Sequence, residues 1–403
     1  RGVRMDPWRL SLAAAAGRAE VSVARRPRVA LFSTGEYALI PIIPASAERL
    51  GADLPTAGVI AGLVMLGTLI ADLPAARFVD AVGERRAMMW SALSAMFGIF
   101  VAFIAGNIYA LGAAVLVVGA SAAVFALARH AYMAEHVPLS HRARALSLLG
   151  GTFRAGAFIG PLLSSAVIAV AGINMVFTLC MLVWFAAGIS LWLTKDDRVS
   201  KSEATTLRGT IAIANRERKK LLTVGVGATV IGMLRTTRQI GLPLWALYIG
   251  MNAETTALAI GIAGIVDFAL FYTSGQIMDK FGRRAAAVPT LIGLSVTHML
   301  VFGASNESLF FALAIVMSLA NGLGSGLILT LGADLAPADA RNEFLAGFRL
   351  LVDAGVASAP PILSALAATV GLATGMASFG VIGLGAAVLV YRYIPGFIKH
   401  ERT

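Results

Sequence analysis

Twelve stretches of this chain are long and apolar, and its polar residues are confined mostly to the short gaps between them. The runs cover roughly 28–46, 55–77, 87–106, 108–131, 146–170, 173–194, 220–247, 256–278, 285–304, 308–333, 343–369 and 372–395. A helix of about 20 apolar residues crosses ~30 Å of hydrocarbon. The pattern therefore predicts an all-α membrane protein with twelve transmembrane helices. One gap is longer, the polar segment 195–219 between the sixth and seventh runs. It divides the chain into a tail over 1–27, a six-helix bundle over 28–194, a linker over 195–219, a second bundle over 220–395 and a tail over 396–403.

Composition supports the same class: 58% of residues are hydrophobic and 14% charged, against about a quarter charged in a soluble domain. Basic residues are sharply partitioned. The first tail holds Arg1, Arg4, Arg9, Arg18, Arg25 and Arg26, the linker runs from Lys195 to Lys219, and the opposite loops offer only Arg49. The positive-inside rule places both termini and the linker in the cytoplasm. This partition accounts for the net charge of +11, so the charge gives no reason to expect nucleic acid. Six of the 33 basic residues are Lys; with abundant Ala and Gly, that suggests a bacterial gene and the inner (cytoplasmic) membrane. The lone Cys180 excludes a disulfide within one chain and a Cys-based metal site. No phosphate-binding loop or metal-ligand spacing is present, so neither cofactor nor metal is expected.

The two halves repeat at a constant shift of 199 residues. That shift carries Asp80 to Asp279, Gly83 to Gly282, Arg85 to Arg284, Pro44 to Pro243, Gly156 to Gly355 and Pro161 to Pro360. It also carries Glu135 to Asp334, Pro138 to Pro337 and Arg142 to Arg341. One ungapped offset over 36–161 against 235–360 indicates duplication of a six-helix unit, as in secondary transporters with parallel repeats.

The gap after the second run reads D-x-x-G-E-R-R, through Asp80, Gly83, Arg85 and Arg86; that after the eighth reads "GQIMDKFGRR", through Gly275, Asp279, Gly282, Arg283 and Arg284. Both resemble motif A of the major facilitator superfamily. "RAGAFIGPLLSS" on the fifth run resembles that superfamily's antiporter motif through Gly156, Gly160 and Pro161. Ala76 and Glu84 stand where the family usually has Gly and a basic residue, and Val115 stands where its proton-associated motif has Arg. The resemblance implies two six-helix bundles that rock about a central cavity. The motif A residues would form a cytoplasmic gate: Arg side chains one turn beyond each Asp bond that Asp or the last carbonyls of a neighbouring helix.

Ionisable groups at membrane depth are costly and mark function. Glu36 lies ~12 Å into the first run by helical rise. Arg235 and Arg238 share a face of the seventh, Arg154 lies on the fifth, Asp267 on the eighth, and Arg349 and Asp353 share a face of the eleventh. The shift maps Glu36 on Arg235 and Arg154 on Asp353, opposite charges both times. Opposite charges at equivalent positions suggest a cross-half pair of Glu36 with Arg235 or Arg238; the family resemblance, which implies that the fifth helix lies beside the eighth, suggests Asp267 as the partner of Arg154. Glu36, Asp267 and Asp353 are the proton-coupling candidates; Arg235, Arg238, Arg154, Arg349 and Asn321 are the substrate-binding candidates. Arg129 and His130 read as snorkelling groups near the cytoplasmic end of the fourth run, and His298 as a packed residue.

The expected activity is secondary transport by alternating access. The resemblance to antiporters points to proton-coupled efflux, and the four arginines point to an anionic or lipid-like amphiphile. The alternative is a multidrug/proton antiporter for lipophilic cations; a membrane sensor or membrane-embedded enzyme is a more distant one. Expected partners are the small amphiphilic substrate, protons and membrane lipids, with the protein a monomer.

Overall fold

The structure, a computed structural model, describes residues 33–136, 139–193 and 207–397; the side chains of 33–34, 73, 76, 133–136, 139–150, 207–208 and 342 lie outside the description. The 1–27 tail, most of the 396–403 tail and Pro138 lie outside the described residues, as do the side chains of Glu135 and Arg142.

The described residues form helices and their connections, with no strand among them. Ten helices are long and apolar enough to cross a membrane. They begin with Leu54–Val82, Glu84–Phe103, Ile108–His136, Leu139–Ala171 and Asn174–Trp192 as the second to sixth spans. The eighth combines Ala253–Ala269 with Phe271–Phe281, and the tenth combines Glu307–Leu323 with Leu327–Leu335. Arg283–Met299, Arg341–Val370 and Leu372–Phe397 are the ninth, eleventh and twelfth. Two more polar spans complete the twelve. The first is Ser33–Leu39, a 3-10 turn Ile40–Ile42 and Ile43–Arg49; the seventh follows a π turn at Leu221–Gly225 as Val226–Tyr248. Arg235, Arg238 and Gln239 lower the hydropathy of the seventh. The chain is thus an all-helical membrane fold of two pseudo-symmetric six-helix bundles.

The 199-residue shift is visible in how the helices start and stop. Asp53 caps the second span through Thr56 N–H and Asn252 caps the eighth through Thr255 N–H. Asn107 and Asn306 do the same for the fourth and tenth, through Ala110 and Leu309. Each satisfies an amide the helix leaves unpaired. Gly51 and Gly250, Gly83 and Gly282, and Gly172 and Gly371 all have positive φ, where a β-carbon is strained. Five matched terminators in two halves are the geometric trace of the duplication.

The second and eleventh spans form one seam between the halves, and the fifth and eighth the other. Both approach closely at glycines in the part remote from the linker. Gly62 abuts Pro360, and a β-carbon on Gly58 would stand 2.8 Å from Ser364 Oγ. A β-carbon on Gly261 would stand 2.6 Å from Leu162, and one on Gly264 2.8 Å from Phe158. On the linker side, Arg349 and Leu350 are exposed. The halves are therefore closed at the far face and parted at the linker face. The linker helix Leu207–Arg216 lies against the eleventh span, where Gly347 meets Ala214 and Thr210. Arg216 donates to both oxygens of Asp339 at 2.7 and 3.1 Å.

Candidate functional site

The site lies at the midpoint of the fifth–eighth seam. Arg154 is 15 residues beyond Leu139 and Asp267 is 14 beyond Ala253, so each is ~21–22 Å along its antiparallel helix. They meet: Arg154 Nη1 donates to Asp267 Oδ1 at 3.1 Å, with side-chain exposures of 19% and 12%. The guanidinium also lies 5.1 Å from the Phe271 ring centroid. Asp267 Oδ2 accepts from Asn321 Nδ2 at 2.7 Å and faces Arg238 Nη2 at 3.6 Å. Arg238 Nη1 donates to Ser318 Oγ at 2.7 Å. One carboxylate thus binds an arginine from each half, and the centre carries excess positive charge.

The tenth span explains the other arginine. Its helix breaks at Gly324–Gly326, between Leu323 and Leu327, and a break at membrane depth frees carbonyls that need donors. Arg235 Nη2 donates to Gly324 O at 2.7 Å, while its Nε donates to Asn321 Oδ1 at 2.8 Å. Ser274 Oγ donates within reach of Leu323 O and Ser325 O, at 2.6 and 3.0 Å. A β-carbon on Gly324 would stand 2.6 Å from Thr290. Asn321 therefore joins Asp267 to Arg235 and to the broken helix.

Glu36 does not pair with Arg235 or Arg238, contrary to expectation. The opposite charge acting on it is Arg129, on the fourth span of its own half. Arg129 does not snorkel: it is 7% exposed, with its guanidinium 4.1 Å from the Phe153 ring centroid and 5.7 Å from that of Phe125. The fourth helix continues to His136, five residues past the apolar run, so Arg129 is about two turns inside it. His298 is fully buried, its Nδ1 2.7 Å from Leu294 O.

Arg349 and Asp353 form a pair along one helix at 3.2 Å, with side chains 60% and 34% exposed. Asp72, half-buried on the second span, is close enough for its charge to act on both. Asp72 lies inside the second apolar run but was not among the ionisable groups singled out there; the helix runs unbroken for ten further residues to Val82.

Arg85, Arg283 and Arg284 of motif A contact groups in their own halves. Arg85 donates to the carbonyls of Leu191 and Trp192, at 2.8 and 2.9 Å, at the end of the sixth span. Arg283 donates to Asp334 Oδ2 at 2.7 Å and to Met278 O at 2.9 Å, and faces Asp279 at 3.8 Å. Arg284 stacks on Tyr391 at 3.4 Å. Asp80 and Arg86 are exposed, and Gly275 borders open space. Gly83 and Gly282 form the helix-to-helix turns. On the fifth span, Gly156, Gly160 and Pro161 are buried, and Ser164 one turn on donates to Ala38 O of the first span at 2.9 Å. Among the described residues, no three His, Cys, Asp or Glu side chains are placed to share a metal ion.

Comparison with known proteins agrees with this architecture. A Major Facilitator Superfamily profile matches residues 29–266 and 224–400. "Probable anion transporter 4, chloroplastic" of Arabidopsis thaliana is 25% identical over 224 residues, 54% of this chain and 41% of its own length; the chain thus spans less than half of that relative. Among solved structures, a POT peptide transporter in complex with sulfate aligns with a TM-score of 0.75 at 12% identity, covering 92% of this chain and 93% of that one. A D-xylose–proton symporter gives 0.67 at 15%, covering 91% and 95%. A bacterial homologue of the lysosomal transporter Spinster, inward-facing and unoccupied, gives 0.72 at 13%, covering 92% and 95%. These likenesses fix the fold, and the profile fixes the family: the chain is a multi-pass membrane protein that belongs to the Major Facilitator Superfamily.

Proposed function

We propose that this transporter exports an anionic or lipid-like amphiphile, coupled to protons, by alternating access with its linker face in the cytoplasm. The observation that carries the reading is the convergence of Arg154 and Arg238 on the single carboxylate of Asp267, with Arg235 one residue away through Asn321. A planar guanidinium fork suits phosphate or carboxylate, and a site with more arginines than carboxylates favours an arriving anion. The printed name of the Arabidopsis relative points the same way.

Each proton-coupling candidate faces an arginine: Asp267 faces Arg154 and Arg238, Asp353 faces Arg349, and Glu36 faces Arg129. Protonating a carboxylate removes the charge that holds its partner. At Asp267 this loosens an ion pair that joins the two halves at mid-membrane. The export direction rests on the antiporter-like Gly156, Gly160 and Pro161. The second reading, a proton antiporter for lipophilic cations, is favoured by Asp72 and Asp353 at the parted linker end.

Purified protein in liposomes tests both. Flux of lysophospholipids and fatty acids, driven by a pH gradient and exceeding that of lipophilic cations, is the expected result. Gradient-driven flux of cations alone would transfer the proposal to the second reading.

A further inference from the structure

The fifth–eighth seam has an ion pair across the halves; among the described residues the second–eleventh seam shows none at the same level. The inner end of that second seam nevertheless holds the parts of one. Gly58 meets Ser364 and Gly62 meets Pro360, so each step along the second span is matched by an equal step back along the antiparallel eleventh. Both helices are continuous, Leu54–Val82 and Arg341–Val370. Ten residues further towards the linker face, this register sets Asp72 level with Leu350, between the turns that carry Arg349 and Asp353. The fifth–eighth seam has the same register, with Gly264 against Phe158. Its pseudo-equivalents place Phe271 against Arg154 as Asp72 stands to Asp353.

In the present arrangement Arg349 is satisfied within its own helix by Asp353, and both are solvent-exposed. Arg85 and Arg283 bond groups in their own halves, and Asp72 is the second-span carboxylate at this level. We propose that Asp72 is a gate residue: when the linker face closes, Arg349 exchanges Asp353 for Asp72 and thereby ties the second span to the eleventh. Asp353 is then the parking site that holds Arg349 in the open state. Opposite charges on helices brought within ~4 Å attract in either state, so the exchange requires only a rotamer change of a long side chain and the approach of the two helices. The inference rests on the alternating-access reading.

Spin labels on cysteines at Ala81 and Arg341, both exposed at the linker ends of the two spans, report this gate by pulsed dipolar spectroscopy; Cys180 is buried and does not label. Wild-type protein in nanodiscs is expected to show a long and a short distance. Asp72→Asn and Arg349→Gln should each lower the short-to-long ratio about two- to fivefold, as for a partly exposed ion pair. Asp353→Asn should raise it, because it releases Arg349 from its parking site. The swap of Asp72→Arg with Arg349→Asp should restore the wild-type ratio. Two populations that ignore Asp72→Asn, or an Asp353→Asn effect of the same sign, would overturn the gate and leave alternating access standing. A single distance in every variant would overturn both.

Discussion

The two seams between the halves are related by pseudo-symmetry and share a helix register, yet they are held in different ways. At mid-membrane the fifth–eighth seam places Arg154 on Asp267, mostly buried and braced by Asn321 and Arg238. Asp353, the repeat mate of Arg154, instead takes Arg349 from its own helix in a solvent-exposed pair. Duplication supplied one geometry, and divergence of a few charges left one seam with a buried ion pair across the halves and the other with an exposed pair along one helix. This difference teaches where the work of switching is divided. A buried pair with a broken-helix neighbour resists opening, whereas an exposed pair exchanges partners at little cost.

The sharpest way to break the comparison is to remove the carboxylate from each seam. Asp267→Ala strands Arg154 and Arg238 around a vacated centre and should cost about 3–5 kcal/mol. Asp353→Ala removes an exposed pair and should cost under about 1 kcal/mol. Thermal unfolding in detergent measures both, and equal losses would show that the seams are energetically alike.

The far-face contacts should behave alike in the two seams. Gly62→Leu drives a side chain into Pro360 and Gly264→Leu drives one into Phe158. Overpacking of this kind costs about 1–3 kcal/mol, and it falls only on the far-closed state. Maleimide labelling of cysteines on the far-face halves of the seams should therefore rise in either variant. Unchanged labelling would mean that the glycines do not set the closure.

Most of the fold was legible because membrane depth, periodicity and a repeat constrain one dimension, the position along each helix. Depth alone placed Arg154 and Asp267 at one level, and their helices do adjoin. It could not supply rotation about the helix axis, which is why Glu36 was matched to Arg235 although the two face different neighbours. The break at Gly324–Gly326 was hidden for another reason: in sequence, a glycine stripe that packs and one that unwinds look the same. Once unwound, the stripe claims Arg235 through the Gly324 carbonyl. Arg129 was misplaced by hydropathy, since its helix extends well past the apolar run; Asp72 stood inside the second run and was not singled out.

The smallest expected effects lie towards the linker face and sharpen the contrast with the buried pair. Arg349→Gln should change stability by a few tenths of a kcal/mol, with a salt-dependent remainder; unfolding at low and high ionic strength checks this. On the linker face, the Arg216 bonds hold the Asp339 carboxyl below its ordinary value of 3.8. A depressed carboxylate contributes stability above its unfolded value and loses it as pH falls through the folded one. The linker helix should therefore keep its amide-exchange protection at neutral pH and lose it only in acid below 3.8; loss near neutrality would rule out this contact as its tether.

The central claim is that Asp267 couples protons to the joining of the halves. Flux of an anionic amphiphile into liposomes, with and without a pH gradient, should be compared between the wild type and Asp267→Asn, which keeps the shape and removes the charge. The account predicts that the gradient accelerates wild-type flux and has no effect on Asp267→Asn, which still exchanges substrate down its own gradient. Full gradient-driven transport by Asp267→Asn would contradict it.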